Sequence, residues 1–503
     1  MSLAPSFTVF AAAYDKGKPQ ALYTRLVADL ETPVSAFMKL CGSRANTFLL
    51  ESVQGGESRG RYSVVGLKPD LIWRCRDGVA EINRNAAQDS ERFVPDEPAG
   101  KPLESLRRLV AEVHMELPDG LPPMAVGLFG YLGYDLVRQM ERLPSPPPDV
   151  LGLPDATMLR PTITAIFDNI RDEITLVTPV WPDSKVSARD AYDRAAARLK
   201  ETEDDLAKPV PAASAQTAAP MVGEAQSNTT HAEYLATVEK AKSYIRAGDI
   251  FQVVPSQRFR RTFTLPPLSL YRALRRTNPS PFLYFLNMPG FAIVGSSPEI
   301  LVRLRDGVVT IRPIAGTRPR GKTPEEDQRH ADDLQADPKE LSEHLMLLDL
   351  GRNDVGRVAE IGSVHVTDQF FIERYSHVMH LVSNVEGRAR PGLDAVDALI
   401  AGFPAGTLSG APKVRAMEII DEFEKEKRGV YAGAVGYFAA NGSMDTCIVL
   451  RTAVVKDGVM YVQAGGGVVA DSDPEAEYQE TVNKAKALMA AADEALRFAA
   501  TSR

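Results

Sequence analysis

Asn441-Gly442 lies between two apolar runs, Val435 to Ala440 and Thr446 to Val455. Asn-Gly suits a two-residue hairpin, whose central residues both take positive φ. Lys456-Asp457-Gly458 then turns the chain again, into Val459 to Val462. Strands that turn back this tightly pair antiparallel, whereas parallel neighbours need long crossovers. Earlier segments repeat the pattern: Phe282 to Leu286, Phe291 to Val294, Ile300 to Leu304 and, after Asp306-Gly307, Val308 to Ile311. In the first half Thr47 to Ser52, Arg61 to Gly66 and Leu71 to Cys75 read as strands, with Lys68-Pro69-Asp70 a turn and Asp77-Gly78 a hairpin. Helical spacing interrupts them at Leu103 to Val113, Ser187 to Leu206 and Glu340 to Leu350. Antiparallel runs broken by helices imply an α+β fold.

The length, 503 residues, allows two to four domains. Composition shifts at Lys208 to Asn228, which is rich in Pro, Ala, Ser and Gln and reads as a linker. Thr230-x-x-Glu233 then forms a capping box that opens a helix. The expected division is 1–225 and 226–503. A net charge of −8 argues against a general nucleic-acid binder. No apolar stretch is long enough to span a bilayer, and MSLAPSF lacks the basic and apolar regions of a signal peptide. Cys41, Cys75 and Cys447 are too scattered for a disulfide framework or zinc cluster. The cytoplasm is the expected compartment, with no membrane and no nucleic acid as partner.

Chemistry concentrates near the C-terminus. Gly465, Gly466 and Gly467 follow a strand and precede Asp473-Pro474-Glu475, a helix start. Bare amides beside a helix N-terminus suit an anion, and Glu477 and Glu480 share a helix face. A surface helix with a Glu480–Lys484 ion pair is the plainer reading. Glu343, beside Leu345, Met346 and Leu347, is either a solvated glutamate or, with Glu480, a ligand of Mg²⁺. Period two puts Arg451 on one apolar strand face with Cys447, Val449, Ala453 and Val455, where it needs an internal acid or a substrate carboxylate. His377 and His380 face opposite sides of an extended segment, and one could move protons. His330 and His344 look structural. Gly406 to Lys413 misses the phosphate-loop spacing, and Gly465-x-Gly467-x-x-Ala470 lacks the strand a dinucleotide site needs after it.

Several stretches resemble the chorismate-utilising enzymes, which include anthranilate, aminodeoxychorismate, isochorismate and salicylate synthases. They are Ile250 to Val254, Gly295-Ser296-Ser297-Pro298-Glu299, Pro313 to Arg318, Glu340 to Asp354, Pro404 to Arg415 and Ala464 to Glu480. The resemblance implies large antiparallel sheets packed as a sandwich with helices outside. Within the family, water-adding members carry a lysine where this chain has Gln252, and aminodeoxychorismate synthases a lysine at Ala315. The resemblance therefore implies ammonia as nucleophile and anthranilate and pyruvate as products of chorismate. It further implies Glu343 and Glu480 as Mg²⁺ ligands, and Gly316, Thr317, Tyr431, Arg451 and Gly465 to Gly467 as substrate contacts. Glu299 would assist loss of the 4-hydroxyl, and His380 with Thr407 the loss of pyruvate. Ser52 in Leu49-Leu50-Glu51-Ser52, with Pro279, Ser280 and Pro281, resembles a site for L-tryptophan as inhibitor. No cysteine has the glycine elbow of a glutaminase, so ammonia is expected from a glutamine amidotransferase subunit, in a heterotetramer of two large and two small subunits. An aminodeoxychorismate synthase with an unusual Ala315, or a non-catalytic tryptophan-binding module, are the other readings.

Overall fold

The computed structural model describes residues 2–54, 58–96, 101–211, 221, 223–375 and 378–501. His377 and residues 212–220 and 222 of the expected linker lie outside them.

Among the described residues twenty-one strands form one hydrogen-bonded network, and a two-stranded piece stands beside it. The described pairings are antiparallel. The Asn441-Gly442 hairpin joins Ala434–Ala439 to Met444–Ile448 through a turn longer than two residues, in which Gly442 but not Asn441 takes positive φ. Asp457-Gly458, both at positive φ, joins Thr452–Lys456 to Val459–Gly465 as a two-residue turn. Strands from both expected segments pair: Thr47–Gln54 with Phe282–Met288, and Gly127–Leu132 with Ala434–Ala439. The sheet therefore runs across the 225/226 division.

Side-chain alternation along the strands sorts the core into layers. Phe48, Val64, Ile166, Tyr284 and Val454 enter a core drawn from strands and their connections. Their neighbours Leu49, Val65, Ala165, Phe285 and Val455 turn the other way. There they meet helices, through Phe37 of Pro33–Leu40, Leu199 of Ala188–Leu206, Leu270 of Pro267–Thr277 and Leu488 of Pro474–Thr501. A third core packs Leu128, Val302 and Met444 under Leu106, Leu348, Leu399 and Met417 of four more helices. Sheet faces sheet inside and helices cover the outside, as the resemblance implied. Among the described residues no helix is long and apolar enough to cross a membrane.

The Lys68-Pro69-Asp70 turn is not there. One strand, Ser58–Arg76, runs through it and pairs with Ala156–Asp168. Pro69 stands opposite Pro161, neither can donate to the ladder, and the register shifts between Pro69 and Leu71. Lys68 absorbs the bulge at φ 51°. The capping box forms as expected: Glu233 Oε2 accepts from the Thr230 N–H at 2.8 Å, and Gly248 ends the helix in the left-handed conformation.

Candidate active site

Four loop-and-end segments open on one cleft. The first is Ser297-Pro298-Glu299, the joint between Phe291–Ser297 and Ile300–Arg305. Glu299 is buried there, and its Oε1 accepts from Thr407 Oγ1 at 3.2 Å. Thr407 lies on the short helix Gly406–Ser409 that follows Pro404. Burial pushes the Glu299 carboxyl up to about 8, against the opposing pull of Thr407, the Ile314 N–H, Lys484 and Arg451. At neutral pH it holds a proton.

The second segment is the pair Ile314–Pro319 and Val378–Arg388. Its register shifts between Ala315 and Thr317, where Gly316 takes φ 61°. A Cβ on Gly316 would stand 2.8 Å from Leu334 Cδ1 and 2.9 Å from Glu340 Oε2. The bulge aims the Gly316 carbonyl at His380 Nδ1, 2.9 Å away, with Thr317 Oγ1 at 3.1 Å. A carbonyl only accepts, so Nδ1 carries the hydrogen and Nε2 a lone pair. That Nε2 is buried and has no partner among the described residues. Burial, then Arg451 and Lys484, bring the imidazole down to about 4, so it is neutral and poised to accept a proton.

Arg451 departs from its expected place. The strand predicted over Thr446 to Val455 breaks into Met444–Ile448 and Thr452–Lys456. Arg451 sits in the break at φ 48°, so no apolar face is counted through it. Its charge is turned into the cleft, and among the described residues no acid lies within ion-pair reach. Burial lowers its pKa, while Tyr375 and Glu299 oppose that. A half-buried guanidinium without a carboxylate calls for an anionic ligand.

The glycine run ends the strand Val459–Gly465. None of the three glycines has positive φ; each is needed for room. A Cβ on Gly465 would lie 3.0 Å from Tyr431 Oη, on Gly466 2.8 Å from Glu477 Oε2, and on Gly467 2.6 Å from Gln252 Nε2. The expected set of three bare amides is reduced, because Gly466 N–H donates to the Pro255 carbonyl at 3.3 Å. Gly465 and Gly467 line the cleft and Gly466 does not. Buried Tyr431 stands beside them, its hydroxyl held protonated by burial.

Two carboxylates close the fourth side. Glu343 comes from Pro338–Gly356, and Glu480 from Pro474–Thr501. Burial, and then the like charges of Glu340 and Glu480, push Glu343 up to about 7. Gln252 Nε2 reaches Glu343 Oε1 at 3.4 Å. Glu480 makes the plain ion pair with Lys484 at 2.6 Å and lines the cleft as well. Glu477 is buried, with Oε1 on Ser472 Oγ at 2.7 Å and Oε2 unpartnered. Among the described residues no three His, Cys, Asp or Glu side chains gather as a closed metal cage. Glu343, raised by burial and by like charges, stands across the cleft from Glu480, and such a pair of carboxylates fits a cation that keeps several waters.

Lys484 was foreseen only as the partner of Glu480. Its ammonium also holds the Gly465 carbonyl at 2.9 Å, a contact that i, i+4 spacing does not announce. His344 is structural, bonded through Nε2 to Ser383 Oγ at 2.6 Å, and His330 bonds the Pro319 carbonyl at 2.8 Å.

A second cavity lies behind the Pro298–Glu299 joint. Ser52 and Pro281 line it with Glu51, Tyr284 and Arg303, while Pro298 and Ile314 border both spaces. Pro279 and buried Ser280 stand in the adjoining loop and do not line it.

Residues 57–490 match the family of chorismate binding enzymes. The chain is 62% identical to anthranilate synthase component 1 of Cereibacter sphaeroides over 494 residues, 98% of each chain. It superposes on the anthranilate synthase component I of Streptococcus pneumoniae with a TM-score of 0.73 and 37% identity, covering 93% of this chain and 99% of that one. The menaquinone-specific isochorismate synthase MenF of Escherichia coli shares the fold, with a TM-score of 0.69 at 20% identity over 96% of this chain and 99% of that one. The match over most of the chain, at this identity, places it in the chorismate-binding enzyme family, among the component 1 chains of anthranilate synthase.

Proposed function

We propose that the cleft adds ammonia to chorismate and eliminates pyruvate, giving anthranilate, the first step of tryptophan biosynthesis. The observation that carries this is one cleft holding a protonated Glu299, an unpaired Arg451 guanidinium and an unprotonated His380 Nε2. Arg451 binds a carboxylate of chorismate, and Tyr431, Gly316, Thr317, Gly465 and Gly467 shape the walls around the ring. Gly466 serves by leaving room for Glu477.

Amination forms a bond from nitrogen to the ring carbon beside the carboxylate. The ring double bonds shift, the bond to the 4-hydroxyl breaks, and the leaving oxygen takes the proton of Glu299, so water departs; the added nitrogen sheds one proton, which restores the acid form of Glu299. In the second step His380 Nε2 takes the hydrogen from the carbon that bears nitrogen. That electron pair completes the aromatic ring as the bond to the enolpyruvyl oxygen breaks, and the enol gains a proton as pyruvate. Thr407, expected beside His380 for the loss of pyruvate, donates instead to Glu299 and holds it in line for the first step. Glu343 and Glu480 would hold Mg²⁺, which supplies charge against the ring carboxylate when bound.

Gln252 and Ala315 support the ammonia branch, because neither position offers a lysine. The buried thiols Cys41 and Cys75 are both pushed up to about 12, and Cys447 is raised further by burial. None is a glutaminase nucleophile, so a separate amidotransferase chain supplies ammonia in the cytoplasm, two large subunits with two small. L-Tryptophan occupies the second cavity as inhibitor, against Ser52 and Pro281, with Pro279 and Ser280 holding the loop.

The test is incubation of the chain with chorismate, ammonium and Mg²⁺. Blue-fluorescent anthranilate with equimolar pyruvate is expected. A product that keeps its pyruvyl side chain would mean an aminodeoxychorismate synthase instead, and no turnover with intact tryptophan binding would mean a regulatory module.

A further inference from the structure

A row of paired residues crosses from the second cavity to the cleft. Leu50 pairs with Tyr284, Tyr284 with Gly295, and Gly295 with Thr452, on four adjacent strands. Tyr284 lines the second cavity, yet its ring lies across Gly295, where a Cβ would come within 2.2 Å of Cζ. Only glycine there lets the phenol reach Thr452 Oγ1, at 2.6 Å. Thr452 donates onward to the Leu450 carbonyl at 2.8 Å, so it accepts from the tyrosine.

A parallel connection starts from the loop that contains Pro279 to Pro281. The Asn278 carbonyl accepts from buried Ser296 Oγ at 2.5 Å. The Ser296 N–H donates to the Arg451 carbonyl at 3.2 Å. Both connections end on the backbone of Leu450-Arg451, where Arg451 holds φ 48°. A non-glycine residue in the left-handed region persists only where neighbours over-determine it. These two hydrogen-bonded arms are such neighbours, and each begins at the wall or loop of the other cavity.

We propose that Ser296 and Thr452 are positioning residues for Arg451, and that through them occupancy of the second cavity alters how Arg451 receives a carboxylate of the substrate. The proposal rests on the reading above, in which Arg451 binds chorismate and tryptophan fills the second cavity. Neither Ser296 nor Thr452 lines either cavity, so their effect on both ligands runs through the backbone they hold. A ligand that shifts the Tyr284 ring or the Asn278 carbonyl releases one arm, and the guanidinium leaves its binding position. The energy available is that of one or two hydrogen bonds, enough for a several-fold change in affinity.

Ser296→Ala and Thr452→Val test this in the full-length chain with ammonium as nitrogen source. Each should raise the KM of chorismate roughly three- to tenfold with kcat within about twofold. The ratio of apparent KM with and without saturating tryptophan should fall toward one, while calorimetry shows tryptophan still binding the ligand-free chain. Thr452→Ser keeps the hydroxyl and should restore both values. If KM and that ratio stay at the level of the unaltered chain, or if kcat falls with KM unmoved, the bracing role is overturned. Arg451→Met separates the two readings: if it leaves KM unchanged, Arg451 does not bind substrate and the underlying assignment is what fails.

Discussion

Glu299 and His380 are matched in opposite directions by the same cause. Burial raises an acid, to about 8, and lowers a base, to about 4, so each sits neutral between those limits. The neutral forms are the working ones, acid and base respectively. At constant free ammonia and saturating Mg²⁺, kcat/KM for chorismate should fall below about pH 4 as Nε2 protonates, and above about pH 8 as Glu299 ionises. Glu299→Gln should remove the alkaline limb and slow amination by about a hundred- to ten-thousand-fold. A variant that keeps the limb would assign it to another group. His380→Met preserves volume while removing the base; the aminated, non-aromatic intermediate should accumulate and be seen by chromatography. Anthranilate made at the original rate would show His380 to be a packing residue. His377 lies outside the described residues and serves only as a comparison in that experiment. Glu343 gives a further titration. Its carboxyl, raised to about 7 by burial and by Glu340 and Glu480, must lose its proton before it can hold a cation. Apparent Mg²⁺ affinity, read from activity against metal concentration, should therefore weaken as pH falls below about 7. Glu343→Gln should make it weak at every pH.

At the scale of elements, the hairpins were legible and the interruptions were not. Asn441-Gly442 and Asp457-Gly458 announce themselves because turn residues act locally, although only the second forms the two-residue turn with both residues at positive φ. The break between Ile448 and Thr452 leaves no such mark: those residues read as strand, and the contacts of Ser296 and Thr452 with the Leu450-Arg451 backbone appear only in the fold. The Pro69 bulge was mistaken for a turn because its partner, Pro161, is 92 positions away and unknown until the strands are paired. Of the cleft, the carboxylates and glycines were legible as residue types. Which atom each glycine makes room for was not, since Tyr431, Glu477 and Gln252 come from separate segments. Packing within the sheet makes a prediction of its own. A Cβ on Gly130 would stand 1.9 Å from the Thr157 carbonyl oxygen of the neighbouring strand. Backbone cannot yield as a side-chain tip does, so Gly130→Ala should cost about 1–3 kcal/mol, read as a lower thermal midpoint. An unchanged midpoint would mean that the strands Gly127–Leu132 and Ala156–Asp168 are less tightly paired than described.

Two of the cavities lie on either side of one short joint, Pro298–Glu299. Pro298 and Ile314 border both spaces, so a shift of either residue alters both. Ser52→Ala should therefore raise the tryptophan concentration needed for half inhibition several-fold, with a smaller effect from Ser280→Ala, whose side chain is buried away from the cavity. Equal effects would place the ligand elsewhere along that loop. The nitrogen source is a separate question of nucleophiles. Attack on the glutamine amide needs a thiolate, and a thiol becomes one near neutral pH only beside a cation, a helix N-terminus or a histidine. Cys41 and Cys75 are instead buried and raised to about 12, and Cys447 sits deep in the sheet beside Asp445, which opposes ionisation further. Less than about one thiol in ten thousand would be ionised at pH 7 for the first two. The isolated chain should make anthranilate from chorismate and ammonium yet none from glutamine, and triple replacement of the cysteines by alanine should leave the ammonium-dependent rate within about twofold. Adding a glutamine amidotransferase subunit should restore the glutamine-dependent rate with or without those cysteines. Glutamine-dependent product from the isolated chain, lost on mutation of any one of the three, would overturn the assignment of ammonia supply to a partner.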